Sequence, residues 1–205
     1  MRVSIIFILG ILLISCKKER TIHISAKNAV TGAPYPGLTY YVVQSMTAGD
    51  GEKTKTVATG TLDANGEAHL TKKLPKAHSY SVRVEAPANT CYNKQITYYF
   101  ANQETTFECP FEFAECAYLK LNINNVNCQG GGDLMNFRSR QSYTEWQSWT
   151  GDRVGCYSYI SPDFFQVPAG SRIYEWRVNR NGVITTHTDS IFLNTGEAGT
   201  FDMNY

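Results

Sequence analysis

Tyr80-Ser81-Val82-Arg83-Val84-Glu85 is the stretch that decides the fold class. In an extended chain Tyr80, Val82 and Val84 fall on one face and Ser81, Arg83 and Glu85 on the other. That period of two is what a half-buried β-strand requires. Working outward, the period returns. Toward the N-terminus Ile22, Ile24 and Ala26 alternate with His23 and Ser25, and Leu38 to Met46 is rich in tyrosine and valine. Val57 to Leu62 and Glu67 to Thr71 flank Asp63-Ala64-Asn65-Gly66, whose Asn-Gly step favours positive φ and a tight hairpin. Toward the C-terminus, Lys94 to Phe100 and Thr105 to Phe113 flank the turn Ala101-Asn102-Gln103-Glu104. About seven strands at this spacing predict a β-sandwich. Asn28 to Gly37 reads as a turn-rich connection, and Thr47 to Lys55 as a long polar loop around Gly49-Asp50-Gly51. No window carries ten or more residues of clean 3.6-residue apolar spacing, so few helices are expected and the chain reads as all-β.

Three motifs in this region share an order with a known family. Val30-Thr31-Gly32-Ala33-Pro34-Tyr35-Pro36-Gly37 precedes a strand. Gly60-Thr61-Leu62-Asp63-Ala64-Asn65-Gly66-Glu67-Ala68 and then Tyr80-Ser81-Val82 follow it. The order resembles the carboxypeptidase regulatory-like family. The resemblance implies a transthyretin-like sandwich of seven strands and a non-catalytic companion role in secreted proteins or beside outer-membrane receptors. It covers about residues 21–113, within a first domain read as 21–115. The Thr47–Lys55 loop and the cysteines at 91 and 109 go beyond the family pattern.

A second domain is read over 116–205. Leu119, Leu121 and Ile123 alternate with Lys120, Asn122 and Asn124, and Gly130-Gly131-Gly132 then interrupts the pattern. Further strands are expected at Gly155 to Ile160, Phe164 to Val167, Arg172 to Asn179, Val183 to Leu193 and Thr200 to Tyr205. Asn181-Gly182 marks a hairpin, but two- and three-residue turns place Trp176 opposite different partners. This domain reads as another small β-sandwich.

The N-terminus carries the targeting signal. Met1-Arg2 leads an apolar run from Val3 to Ile14, broken only by Ser4 and Gly10. Twelve helical residues span about 18 Å, short of the roughly 20 residues that cross a bilayer. A basic residue and a short apolar run ending in small residues form a secretory signal. Leu13-Ile14-Ser15-Cys16 resembles the bacterial lipobox. The resemblance implies a signal peptide over 1–15, cleavage before Cys16, a lipid on that cysteine, and a short tether over 16–20. Buried acyl chains would hold the protein on the membrane, each CH₂ contributing about 0.8 kcal/mol. A plain signal peptide with a chance cysteine, or a buried hydrophobic strand, is the alternative. Lys17 stands where an aspartate would imply retention at the inner membrane, which favours the outer membrane and leaves open which side is occupied.

Composition limits the remaining choices. The net charge of +1 includes Arg2, so the mature chain is near neutral. No basic block exceeds Lys17-Lys18, which argues against nucleic acid as a partner. Beyond Cys16 lie Cys91, Cys109, Cys116, Cys128 and Cys156, in a chain expected to meet an oxidising compartment. Their spacing is unlike that of zinc sites. Cys128 and Cys156 border the same long loop and are expected to pair. The 101–104 hairpin brings Cys91 toward residue 114, favouring Cys116 over Cys109 as its partner.

Chemistry-bearing motifs are scarce. His23 and His69 lie on the polar phase of predicted strands and read as solvent-facing. His78 and His187 stand apart, and neither a cofactor nor a metal is expected. Nucleophile elbows, phosphate loops and paired carboxylates are missing, so no enzyme is expected. Asp63-Ala64-Asn65-Gly66 lacks the distal acidic ligands of a calcium loop and reads as a turn. Lys72-Lys73-Leu74-Pro75-Lys76 is a solvated loop or a contact for anionic headgroups.

One segment stands out for binding: Tyr143-Thr144-Glu145-Trp146-Gln147-Ser148-Trp149. Tyr143, Trp146 and Trp149 in a polar loop could stack sugar rings, with Glu145 and Gln147 reading hydroxyls. The competing reading is that the tryptophans plug the end of the second sandwich or form one helical turn packed on it. The expected function is a lipid-anchored, non-catalytic envelope protein that binds or scaffolds an envelope protein or polysaccharide. The alternative is a glycan-binding surface lipoprotein working beside an outer-membrane importer.

Overall fold

A computed structural model describes residues 17–48, 51–76, 78–101 and 103–205. The lipobox reading, Cys16 included, lies outside the described residues. Among those described, every regular element is a strand, and no helix is long and apolar enough to cross a membrane. In chain order the strands begin with β1 (Lys17–Asn28), β2 (Thr39–Ala48), β3 (Gly51–Thr61), β4 (Glu67–Pro75) and β5 (Ser79–Val84). Next come β6 (Thr90–Asn93), β7 (Tyr98–Phe100), β8 (Thr106–Asn124), β9 (Leu134–Gln141) and β10 (Arg153–Val154). The last are β11 (Ser158–Ile160), β12 (Phe165–Pro168), β13 (Gly170–Arg180), β14 (Val183–Leu193) and β15 (Ala198–Asn204).

The chain forms two compact units. One holds the residues up to Lys27, Pro34–Glu85 and Gln95–Phe111, and the other holds Asn28–Ala33, Ala86–Lys94 and Glu112–Tyr205. The sequence boundary at 115/116 falls inside β8.

In the first unit β4, β1 and the start of β8 form one sheet, and β3-β2-β5-β7 forms the other. Alternation sets the core. Ile22, Ile24 and Ala26 of β1, Tyr80 and Val82 of β5, and Phe107 and Phe111 of β8 are buried. Each fully buried Ile, Val or Phe among them contributes about 1.5–3 kcal/mol. Arg20 shares this core although it is charged. Its guanidinium lies 4.7 Å from the Tyr80 ring centre and 5.4 Å from that of Phe107, and it donates to the Glu104 carbonyl. The hairpin at Asn65-Gly66 is fixed from within. The Asp63 carboxylate accepts from the Asn65 and Glu67 amides, both at 2.9 Å. Gly66 has φ 70°, and a Cβ there would lie 2.6 Å from the Ala26 carbonyl oxygen.

Three sequence readings in this region are corrected. Lys72–Pro75, read as part of a solvated loop, continue β4 and pair with β1 from Arg20↔Lys72 to Lys17↔Pro75. Thr47–Lys55 is not a long loop: β3 begins at Gly51 and pairs back to β2 from Ala48↔Gly51 through Met46↔Lys53. Its first six residues are exposed, so no face is apolar and no alternation marks the strand. Nor is Lys94–Phe100 one strand. Only Tyr98–Phe100 of it is strand, as β7, and β6 ends at Asn93; between them the Gln95 side-chain amide donates 2.6 Å to the Thr97 carbonyl, a local bond that competes with a ladder.

The second unit packs a sheet of β6, the rest of β8, β11, β12 and β15 against β10-β9-β13-β14. β15 runs parallel to β8, while the other pairings are antiparallel. Leu119, Val167, Phe201 and Met203 of one sheet meet Met135, Tyr174, Trp176 and Val178 of the other. Arg180↔Val183 pairing leaves Asn181 and Gly182, at φ 53° and 84°, as a two-residue turn. That turn settles the register, placing Trp176 opposite His187. β9 is a strand the sequence reading lacked. Its inward face holds polar Ser139 and Gln141, which blur the alternation. Gln141 Nε2 donates 2.9 Å to the Pro168 carbonyl, and Ser139 Oγ accepts from Arg172 at 2.9 Å.

Cys91 is bonded to Cys116, with Cα atoms 4.8 Å apart, and Cys128 to Cys156, at 5.2 Å. Both bridges lie in the second unit. Cys109 is a buried free thiol in the first unit, and burial pushes its pKa up to about 12. Such a thiol is a packing element rather than a nucleophile.

Candidate binding face

The segment after β9 doubles back along that strand. Thr144 and Gln141 close the reversal: the Thr144 amide donates 3.1 Å to the Gln141 carbonyl, and the Gln141 amide donates 3.0 Å to Thr144 Oγ1. From there the Gln147 amide donates 3.0 Å to the Ser139 carbonyl, and the Thr150 amide 2.8 Å to the Phe137 carbonyl. A side-chain pair, Ser139 Oγ to Gln147 Oε1 at 2.9 Å, adds to the seam. The loop therefore covers the edge of β9 that β10 leaves unpaired between residues 137 and 139.

This path sets the tryptophans among arginines. On β9, Arg138 and Arg140 share the outward phase, and on β13 Glu175 and Arg177 do. The Arg138 guanidinium lies 4.6 Å from the Trp146 ring centre and 4.7 Å from that of Trp149. Arg140 lies 4.9 Å over Trp146, and Arg177 lies 4.1 Å over Trp149. The order Arg140, Trp146, Arg138, Trp149, Arg177 makes a ladder of alternating cations and rings. Each contact contributes about 0.5–1 kcal/mol where exposed. Arg138 also donates to Glu175 Oε2 from Nε at 2.8 Å and from Nη2 at 2.6 Å. Among the described residues Arg140 and Arg177 form no ion pair, so two guanidinium charges stand unneutralised on this face.

Both tryptophans are half-buried. Their ring faces meet guanidinium groups, and neither indole is a plug among the core residues of the unit. Tyr143 has other partners. Its hydroxyl donates 2.8 Å to the Ala169 carbonyl, and its ring lies 4.9 Å from that of Tyr92. A Cβ on Gly170 would come within 3.3 Å of it, and burial raises its pKa well above the ordinary phenol value. Tyr143 anchors the loop, and Trp146 and Trp149 share the ladder. Glu145 and Gln147 are exposed.

Beside the ladder is a cleft of about 190 Å³ lined by Leu134, Asn136, Asp152, Arg177, Asn179 and Ile184. It is smaller than the roughly 300–1,000 Å³ that encloses drug-sized ligands. Asn136 Nδ2 donates 2.7 Å to Asp152 Oδ1. The sequence reading found the tryptophans but not their arginines. The signal was Arg138-Ser139-Arg140, two like charges at strand spacing beside a Trp-x-x-Trp segment.

No family model and no curated protein matches the chain. Among solved structures it is similar to the Bacillus anthracis TIE protein, with 15% identity and a TM-score of 0.36 over 91% of this chain. The chain spans 34% of that protein's length. It is similar to GBS52, the minor pilin of Streptococcus agalactiae, at 11% identity and TM-score 0.34, covering 90% of this chain and 94% of that one. For the shaft pilin SpaA of Lactobacillus rhamnosus GG the values are 10%, 0.32, 91% and 97%. At these scores the likeness carries no inference about function.

Proposed function

We propose that the chain is a lipid-anchored, non-catalytic envelope protein that holds an acidic partner on the arginine–tryptophan face of its second unit. The observation that carries this reading is the pair of guanidinium groups, on Arg140 and Arg177, fixed by indole rings and left without a carboxylate. Charges already held in place lose little conformational freedom on binding, which is the advantage of a preorganised surface. The first unit, with its two sheets and the Asp63–Gly66 hairpin, supports the resemblance to carboxypeptidase regulatory-like domains. Capture of an acidic polysaccharide is a second reading, favoured by the polar cleft at Asn136, Asp152 and Asn179.

Two experiments test the proposal. Replacing Cys16 with serine is expected to remove the protein from the membrane fraction and abolish labelling by a fatty-acid probe; unchanged labelling would refute the anchor. The unlipidated chain then serves as a probe for isolated envelopes. Arg140→Glu with Arg177→Glu is expected to lower its retention about tenfold, equivalent to about 1.4 kcal/mol. Retention lost from protease-treated envelopes identifies a protein partner, and retention that survives identifies a polysaccharide. Equal retention of the charge-reversed and native chains would overturn the reading.

A further inference from the structure

We propose that the outer face of the first unit binds a zinc-class divalent ion through His23, Glu67 and His69. The β1–β4 register sets His23 directly opposite His69, and Glu67, two residues before His69, shares its face of β4. The two imidazoles stack with centres 4.2 Å apart and planes 12° from parallel. One donor atom from each of the three residues lies within 4.8 Å of the others. Two separations are shorter: His69 Nε2 is 3.4 Å and His23 Nε2 3.9 Å from Glu67 Oε2. Metal bonds of about 2.0–2.2 Å place tetrahedral ligand atoms a little over 3 Å apart, so small side-chain rotations close the set.

The protonation pattern supplies the second argument. His23 Nδ1 lies 2.9 Å from Glu108 Oε2. An ionised carboxylate only accepts, so Nδ1 carries the proton and, in the neutral ring, Nε2 keeps its lone pair. That Nε2 is shielded from solvent and has no hydrogen-bond partner among the described residues. It is a lone pair 3.9 Å from Glu67 Oε2, the oxygen that His69 Nε2 reaches at 3.4 Å; a cation among the three would replace that His69–Glu67 hydrogen bond, with the His69 proton moving to Nδ1. Glu108 is then a positioning residue, since a carboxylate on the far nitrogen fixes the tautomer and orientation of a metal-binding histidine.

Two imidazoles and a carboxylate suit zinc, and copper(II) more strongly by the usual order of divalent affinities. Magnesium and calcium prefer sets of oxygen ligands. The side chains of His69 and Glu67 are 63% and 40% exposed, so the ion keeps a position for water or for a donor from a partner. Sequence spacing hid this group because His23 lies more than forty residues from Glu67 and His69 and meets them only through strand pairing.

The test is calorimetric titration of the full, untagged chain in detergent, stripped of metal, with zinc and separately with magnesium. Saturable one-to-one binding of zinc, and none of magnesium, is expected. His69→Ala removes an exposed side chain and should weaken binding at least about tenfold, as should Glu67→Gln. Glu108→Gln should weaken it about 10–100-fold, the range for lost outer-shell partners. Circular dichroism of each variant verifies that the sheet is intact. Absence of saturable zinc binding by the native chain, or binding unchanged in both His69→Ala and His23→Ala, would overturn the proposal.

Discussion

Trp176→Ala is expected to lower the stability of the second unit by about 3–5 kcal/mol, the range for truncating a buried tryptophan. The indole is 6% exposed and belongs to the core between the two sheets. It lies edge-on to Phe201, with ring centres 6.5 Å apart, and stacks on His187 at 5.5 Å. Phe201 in turn stacks on Tyr174 at 4.5 Å, so the cavity would open at the centre of an aromatic cluster. Domains are commonly stable by 5–15 kcal/mol, and a loss of this size approaches global unfolding. Trp149→Ala provides the contrast. That ring is half-buried outside the core, and its partners are Arg138 and Arg177. Its loss should cost about 1–2 kcal/mol through two cation–ring contacts. Urea melts followed by far-ultraviolet circular dichroism compare the two. A midpoint for Trp176→Ala at or above that of Trp149→Ala would contradict the packing described here.

The contrast shows what sequence can and cannot deliver for this chain. Strands with one wet and one dry face were legible: β1, β5 and β13 carry their alternation in the residues themselves. The Asn65-Gly66 and Asn181-Gly182 hairpins were legible too, because positive φ restricts the choice of residue. Strands with two wet faces or a polar inner face were not. The start of β3 is exposed on both sides, and β9 buries Ser139 and Gln141 on hydrogen bonds that only the folded chain supplies. The ladder was half legible for the same reason. Trp146 and Trp149 stand out by residue type, whereas Arg138, Arg140 and Arg177 acquire meaning only when β9 and β13 pair. Arg20 is the extreme case. Its charge marks it as exposed, yet the rings of Tyr80 and Phe107 and the Glu104 carbonyl accommodate it in the core.

Removing the Cys91–Cys116 bridge, as Cys91→Ala with Cys116→Ala, is expected to cost about 3–4 kcal/mol on the chain-entropy estimate for a loop of this length. Its 25-residue separation is close to the 28 of Cys128–Cys156, so loop entropy alone predicts similar losses. Their surroundings differ. β6 has four residues, and its ladder to β8 is interrupted between Thr90 and Tyr92. The bridge therefore holds a strand that few backbone bonds secure. Around the other bridge the Asp133 carboxylate accepts from the Gln129 amide at 3.0 Å, Asn125 at 3.3 Å and Arg180 at 3.2 Å. The Gly155 amide donates 2.7 Å to the Asp133 carbonyl, which ties the far side of that loop as well. These bonds, led by the Gln129 amide, hold the Asp133 carboxyl below the usual carboxylate range. Hydrogen exchange distinguishes the two bridges. Loss of Cys91–Cys116 should expose the β6 amides to local opening, whereas loss of Cys128–Cys156 should leave the Gln129 and Gly155 amides protected by Asp133. Protection of β6 that survives the first double substitution would show that its ladder suffices without the bridge, and that the disulfide acts on the unfolded chain alone.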